Sequence, residues 1–448
     1  MKNNYSFISM IARYVNTSVV LILATVAALF LANFEPTSDA FLEFWQQKVI
    51  LSIGDFNFFS HNGEEMTLLH VINDFLMALF FLSVGLEIKR EILVGELSTR
   101  QKAMLPIIGA CGGMLVPVII FWLVCPNNPD MLRGVAIPMA TDIAFSLGVL
   151  SIFKTRVPLG LKMFLAALAV ADDLGGIIVI ALFYSSSINL SFVWIALACV
   201  ALLIAGNKVK IMKKSYYLAI GVVLWYAMLN CGIHATIAGV IVAFCVPASQ
   251  RKGSEVYIER IREQISKFPV TNINSKHHTI ILSHNDIHTL KSIESASDKL
   301  ISPLQDLEDS LYKIIGYGVI PLFALSNVGI DFSSMCLADI TRGVSLAVMA
   351  GLVFGKFIGV FSFSWLAIKM RIVQLPEGCD WKAFASVCML CGIGLTVSIF
   401  IADLSYASLA EGAQYLNQAK LGILCGSIIS AIIGCIMLNR YLPKKANQ

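Results

Sequence analysis

Residues 168 to 184 read LAVADDLGGIIVIALFY, two adjacent carboxylates in a run otherwise apolar, aromatic or glycine. Uncharged sequence continues from Leu174 to Asn207, so Asp172 and Asp173 cannot be the polar end of a helix. They lie deep in the segment. Ionisable groups inside a bilayer core are costly and are kept for function, and the rest of the chain decides whether a bilayer is the solvent.

Of the 448 residues, 57% are hydrophobic and 14% charged, with a mean hydropathy of +0.77. That is far more apolar than a soluble globular protein. The net charge of +4 is small and dispersed, which excludes a basic face for nucleic acid. Most of the 11 cysteines sit in apolar runs, among them Cys111, Cys199, Cys245, Cys425 and Cys435, and read as small hydrophobes. Cys388 and Cys391 have redox spacing but fall in a span and are read the same way.

A spanning helix needs about 20 mainly apolar residues. Twelve segments qualify: 13–33, 67–88, 103–124, 134–152, 160–184, 190–206, 215–229, 232–247, 313–331, 343–368, 383–403 and 418–438. The first is uncharged from Tyr14 to Phe34, long enough to be a span rather than a cleaved leader.

Lysine and arginine test this count, because they crowd the cytoplasmic loops. One side receives Lys2, Arg13, Lys89, Arg90, Arg100, Lys102, Lys154, Arg156, Lys162, Lys208, Lys210, Lys213, Lys214, Lys369, Arg371, Lys382, Arg440, Lys444 and Lys445; the other receives only Lys48, Arg133, Arg342 and Lys420. The alternation implies an even number of spans with both termini cytoplasmic.

The expected fold is thus an all-α integral membrane domain over 1–448 with 12 transmembrane helices, carrying two extramembrane pieces. Lys48 to Phe59 alternates apolar and polar residues around Gly54-Asp55, which predicts a short external β-hairpin within 44–64. Residues 251–299 are a polar cytoplasmic insert holding four of the seven histidines, His277, His278, His284 and His288. It reads as a solvated regulatory or spacer element, since the spacing matches no zinc motif.

Five ionisable groups lie far from span ends: Asp74, Asp142, Asp172, Asp173 and Lys356. Asp74 is read toward the cytoplasmic half of the second span, and the other four fall near one depth at the midplane. Neighbours on a helix point about 100° apart, so Asp172 and Asp173 present different faces. One serves as the main ligand; the other flanks it or faces an access funnel. A hard monovalent cation such as sodium prefers the oxygens that a proton also titrates. Competition between Na+ and H+ for one pair of carboxylates is sufficient chemistry for exchange.

Irregular backbone at membrane depth is tolerated where it lines a cavity. The fourth span carries Pro138 before Thr141-Asp142, and the eleventh carries Gly392 and Gly394 in CGIGLTVS. These are middle members of two triplets, spans three to five and ten to twelve, which would form inverted repeats, and paired broken helices there point to a midplane transport site. Broken helices expose dipole ends, for which Asp142 and Lys356 supply the compensating charges.

The segments NDFLMALFFLSVGLEIKRE (73–91), ATDIAFSLGVL (140–150), LAVADDLGGIIVIALFY (168–184), GIHATIAGVIVAF (232–244), IPLFALSNVGI (320–330) and CGIGLTVSIFIA (391–402) together resemble the NhaA family of bacterial sodium/proton antiporters. The resemblance implies crossed, discontinuous helices four and eleven, electrogenic exchange of Na+ or Li+ for external protons, activation at alkaline pH, and an inner-membrane homodimer joined through the external hairpin. It places ion binding on Asp172 and Asp173, dipole compensation on Thr141 and Asp142, and the membrane lysine on Lys356. A cytoplasmic pH-sensing cluster falls on Glu87, Arg90, Glu91 and Glu308, and a pH-affecting histidine on His234. No cofactor is implied beyond the transported ions. The insert at 251–299 departs from the family pattern.

Two rival functions are weighed. A sodium-coupled solute symporter needs a larger polar pocket than these residues supply. An intramembrane aspartyl protease needs aspartates from separate helices sharing a proton; Asp142 with Asp172 could imitate that, but no GxGD sequence is present and Lys356 suits it badly. The chain reads as a transporter, not an enzyme.

Overall fold

The computed structural model describes residues 17–53, 56–57, 59–61, 64–125, 128–153, 156–184, 189–249, 254–267, 284–330, 332, 337–376, 378–407, 409 and 411–442. Nearly all of them are helical. In chain order the elements are α1 (Thr17–Asn33), α2 (Ser38–Gln46), α3 (Leu68–Val94), α4 (Arg100–Val124), α5 (Pro129–Met139), α6 (Ile143–Ile152), α7 (Leu159–Phe183), α8 (Leu190–Val209), α9 (Lys214–Cys231), α10 (Ile237–Cys245), α11 (Ser254–Lys267), α12 (His284–Leu300), α13 (Pro303–Ile314), α14 (Ile320–Asn327), α15 (Gly343–Lys369), α16 (Trp381–Leu390), α17 (Leu395–Tyr406) and α18 (Gly412–Tyr441). Among the described residues, six helices are long and apolar enough to cross a membrane, and up to nine if each bent pair is one span.

The helices are inside out by the standard of a soluble protein. Large apolar side chains stand exposed at helical spacing, as in Val19, Leu23, Val26 and Phe30 of α1 and Ile428, Ile432 and Ile436 of α18. Water would penalise such faces; hydrocarbon does not. The protein is a multi-pass membrane protein.

Without a hydrophobic drive between helices in lipid, close backbone packing holds them together. The tightest crossing is α4 on α15, where a side chain on Gly359 would overlap the Gly112 carbonyl and one on Gly112 would overlap the Gly359 carbonyl. One π turn over Gly351–Gly355 interrupts α15 just before Lys356 and re-aims the residues that follow it.

Two bent pairs carry the breaks expected from Pro138 and from Gly392 and Gly394. Segments α5 and α6 meet at 45°, and α16 and α17 at 43°. Between them, residues 140–142 and 391–394 leave the helical path and cross each other, with the Asp142 amide donating to the Ile393 carbonyl at 2.7 Å. A side chain at Gly394 would lie 2.6 Å from the Ala140 carbonyl oxygen, so only glycine lets the two chains pass.

Between α2 and α3 two short antiparallel ladders follow one another, pairing Ser52 with Asn57 and Ile53 with Phe56, then Ser60 with Glu65 and His61 with Glu64. The expected turn at Gly54-Asp55 lies outside the described residues. In the insert, α11 and α12 pack on one another and carry His284 and His288, while His277 and His278 also lie outside the described residues.

Two readings need correction. Asp74 sits in the second turn of α3, at the opposite end from Lys89 and Arg90, so it lies away from the half of the span that carries the basic residues. Lys420, read as a loop lysine, lies inside α18 and is only 9% exposed, because that helix begins at Gly412 rather than 418.

Gly359→Val should push α4 and α15 apart and cost about 3 kcal/mol, the upper range for overpacking. Thermal unfolding of the purified protein in detergent measures this, and an unchanged midpoint would contradict the close crossing.

Candidate functional site

Where two helices break inside a bilayer, free N–H and C=O groups must find partners without water. Asp142 meets that need for both breaks. Its Oδ1 accepts from the Phe145 amide at 3.1 Å, capping the N-terminus of α6. Its Oδ2 accepts from the Thr396 amide at 3.1 Å and the Thr396 hydroxyl at 2.7 Å, at the first turn of α17. One carboxylate therefore faces two positive dipole ends. On the opposing side, the Thr141 hydroxyl reaches the Cys391 carbonyl at 3.0 Å.

Lys356 has a direct partner that the expectation did not name. Its ammonium lies on Asp172, with Nζ 2.6 Å from Oδ2 and both side chains wholly buried. The Thr141 hydroxyl meets the same Oδ2 at 2.7 Å. A hydroxyl has one proton, so Thr141 donates to Asp172 or to the Cys391 carbonyl, not to both. A charged Asp172 holds that proton; a neutralised one releases it to the carbonyl.

The two carboxylates of the pair do face apart. Asp172 turns to Lys356 and Thr141, whereas Asp173 lines a cavity of about 270 Å³ together with Glu87, Asp142, Thr141 and Thr396. Asp172 Oδ1 and Asp173 Oδ1 are buried and accept no hydrogen bond among the described residues. Buried acceptors left open are costly, so the site has room for a ligand that brings positive charge or a proton. The chemistry of the donor set, carboxylate and hydroxyl oxygens, suits a hard cation.

At the mouth of this cavity stand Glu87 of α3 and Tyr312 of α13. Nearby, Arg90 joins Glu308 at 2.8 Å and Glu91 at 3.1 Å, and Lys214 joins Asp306 at 3.0 Å. The four residues expected as a cluster thus come together at one end of α3. Burial pushes the Glu308 carboxyl above its usual range, while the Arg90 guanidinium pulls the other way.

His234 is not with them. It contacts Thr236 and the Phe400 ring, and the packing of Gly239 on Ala78 and Gly85 on Ala243 sets it level with the start of α3, about 20 Å from Glu87 along the helix.

Sequence reasoning missed Thr396, whose hydroxyl and amide both serve Asp142, and a second polar set, the buried Asn73 and Asn327 with the partly exposed Asp403. Single polar residues in apolar runs give no local signal, although Asp403 falls within the eleventh expected span.

The profile of the family described as Na+/H+ antiporter 1 matches residues 9–438. The chain is similar to the Na(+)/H(+) antiporter NhaA of Phocaeicola vulgatus, with 48% identity over 445 residues covering 99% of this chain and 98% of the relative. It is similar to that of Bacteroides thetaiotaomicron at 49% identity, covering 96% of each chain, and to that of Haemophilus ducreyi at 38%, covering 96% and 95%.

Lys356→Met would leave Asp172 buried without its counter-charge and should cost about 3–5 kcal/mol, seen as a lower unfolding midpoint in detergent. Adding Asp172→Asn should recover most of the loss. Equal stability of the wild type and the single variant would show that the pair is not formed.

Proposed function

The chain belongs to the Na+/H+ antiporter family, a sodium/proton antiporter of a multi-pass membrane protein class, and we propose that its exchange runs through Asp172 and Asp173. The observation that carries this is the pair of open carboxylate oxygens beside the Lys356 ammonium. A sodium ion entering from the cavity meets Asp173 first, then competes with the ammonium for Asp172. Protonation of the same oxygens removes the charge that holds sodium and expels it. Proton and metal ion exclude one another because they use the same atoms.

Electrogenic exchange follows when more protons than sodium ions are carried per cycle, and lithium, chemically similar, would enter by the same oxygens. Thr141 and Asp142 hold the crossing together in this reading, and Lys356 acts as the resident cation that an incoming one displaces. The arrangement argues against an aspartyl protease, because Asp142 is occupied by helix-end donors and Asp172 by Lys356. A solute symporter finds little support in a cavity of about 270 Å³.

The same proposal includes twelve spans with inverted repeats, cytoplasmic termini in a bacterial inner membrane, a homodimer joined through the segment around 52–65, and a separate cytoplasmic insert. Support comes from the charge alternation, from the two bent pairs occupying corresponding places in the expected repeats, and from family membership.

The direct test is sodium-induced collapse of a pH gradient in proteoliposomes. Asp172→Asn and Asp173→Asn should each reduce it to the level of empty vesicles while the purified proteins remain folded, since the amide keeps the shape but neither titrates nor balances the cation. Normal exchange in either variant would remove these residues from the site.

Alkaline activation is assigned to the cluster at the cavity mouth. Burial raises the Glu308 carboxyl above its usual range while Arg90 pulls it down, so its pairing with Arg90, between Glu87, Glu91 and Asp309, strengthens as pH rises. Glu308→Gln fixes the neutral form and should move the onset of exchange to higher pH. An onset identical to the wild type would exclude Glu308 as a sensor.

A further inference from the structure

A second set of charges lies at the other end of the bundle. Asp74 of α3 and Asp403 of α17 are close enough to repel each other, and both are partly exposed. Beneath them two buried amides form a clamp: Asn73 donates to Asp403 Oδ2 at 3.1 Å and to Asn327 at 3.0 Å, and Asn327 donates back to Asn73 at 2.7 Å. From α18, Lys420 faces Asp403 electrostatically; the residue is 9% exposed and makes no hydrogen bond among the described residues. A buried lysine without a direct hydrogen-bond partner is costly, and its presence beside Asp403 is not explained by packing.

The position of this cluster is informative. Thr396, Phe400 and Asp403 follow one another at i, i+4 and i+7 and so share one face of α17, with Asp403 about 10 Å beyond Thr396. Thr396 borders the cavity that reaches Asp173. Between the two lies Phe400, 1% exposed and ringed by His234 at 5.5 Å, Phe81 at 6.0 Å and Phe323 at 6.5 Å. An apolar layer therefore separates two polar compartments on one helix face.

We propose that Asp74 and Asp403, tuned by Lys420, form a proton-loading station on the side of the membrane opposite Arg90, with Phe400 as the barrier between it and the Asp172–Asp173 site; this rests on the antiport reading above. Two carboxylates against one ammonium leave a net charge of −1. A hydronium ion gives one proton to a carboxylate oxygen and leaves as water, and the cluster becomes neutral. Release returns that proton to water on the far side of Phe400 and restores the carboxylate. Sodium fits poorly, because Asp403 Oδ2 is already taken by Asn73 and the ammonium would repel a metal ion that needs several oxygens. Among the described residues, titratable side chains nearby include His70 one turn before Asp74, His234 against Phe400, Tyr184 bonded to Ser405, Tyr406 bonded to the Met131 carbonyl, and Tyr415 with Glu411 beside Tyr406.

Two variants should move the station in opposite directions. Asp403→Asn keeps an acceptor for Asn73 but removes one of the two repelling carboxylates; Lys420→Gln removes the positive charge that faces Asp403. In right-side-out vesicles with internal pH fixed, the external pH giving half-maximal exchange should fall by about one unit for Asp403→Asn, a roughly tenfold greater proton requirement, and rise by a similar amount for Lys420→Gln. The dependence on cytoplasmic pH, scanned in everted vesicles, should be unchanged in both. Wild-type external curves in both variants, or shifts of the same sign, would overturn the station. A changed requirement for external sodium with an unmoved pH curve would overturn its assignment to protons. No sodium-driven proton flux in the wild type would overturn the antiport reading as well, whereas normal wild-type flux confines any failure to the station.

Discussion

A bilayer core offers no water to an interrupted helix, and the protein depends on how that shortage is met at one crossing. The breaks at 140–142 and 391–394 would expose helix ends that lipid cannot satisfy. Asp142 accepts from both N-terminal ends, the Asp142 amide donates to the Ile393 carbonyl, the Thr141 hydroxyl stands within reach of the Cys391 carbonyl, and the glycines let the backbones pass. Because the crossing is held by polar groups rather than by apolar packing, it brings oxygens to the middle of the membrane. That is where a cation needs them.

The crossing also creates the asymmetry between neighbours. Helix α7 presents Asp172 to Lys356 and Thr141, and its next residue, about 100° further round, to the cavity. Asp172 is paired from within the protein, whereas Asp173 faces the cavity. A buried ion pair contributes little net stability, since desolvation offsets most of the attraction. The Lys356 contact is therefore poorly explained as a device for holding the fold together.

The sequence made the depth of the acidic pair legible because no other solvent is compatible with 34 uncharged residues, 174 to 207, following it. Pro138, Gly392 and Gly394 likewise marked the breaks, since these residue types disrupt helices by local geometry. What could not be read was who meets whom. Lys356 and Asp172 are 184 positions apart, Thr396 and Asp142 are 254, and Asn73 and Asp403 are 330. Periodicity and hydropathy are local, and carry no information about contacts at such separations. The carboxylate partner of Lys356 therefore stayed hidden, and Lys420 was counted among loop charges because a span boundary drawn from hydropathy stopped six residues short of the helix.

Helix α17 ties these observations together. Its first turn holds Asp142 through Thr396, its middle places Phe400 in an aromatic layer, and its last turn carries Asp403 to Asn73. A tilt of this one element would loosen the cap at Asp142 and shift the aromatic layer together, because both contacts are made by side chains on the same face. The Gly392 and Gly394 break separates the directions of α16 and α17, and both pack against α18. The same discontinuity that exposes the oxygens at the midplane therefore also sets the direction in which α17 carries Thr396, Phe400 and Asp403 away from it.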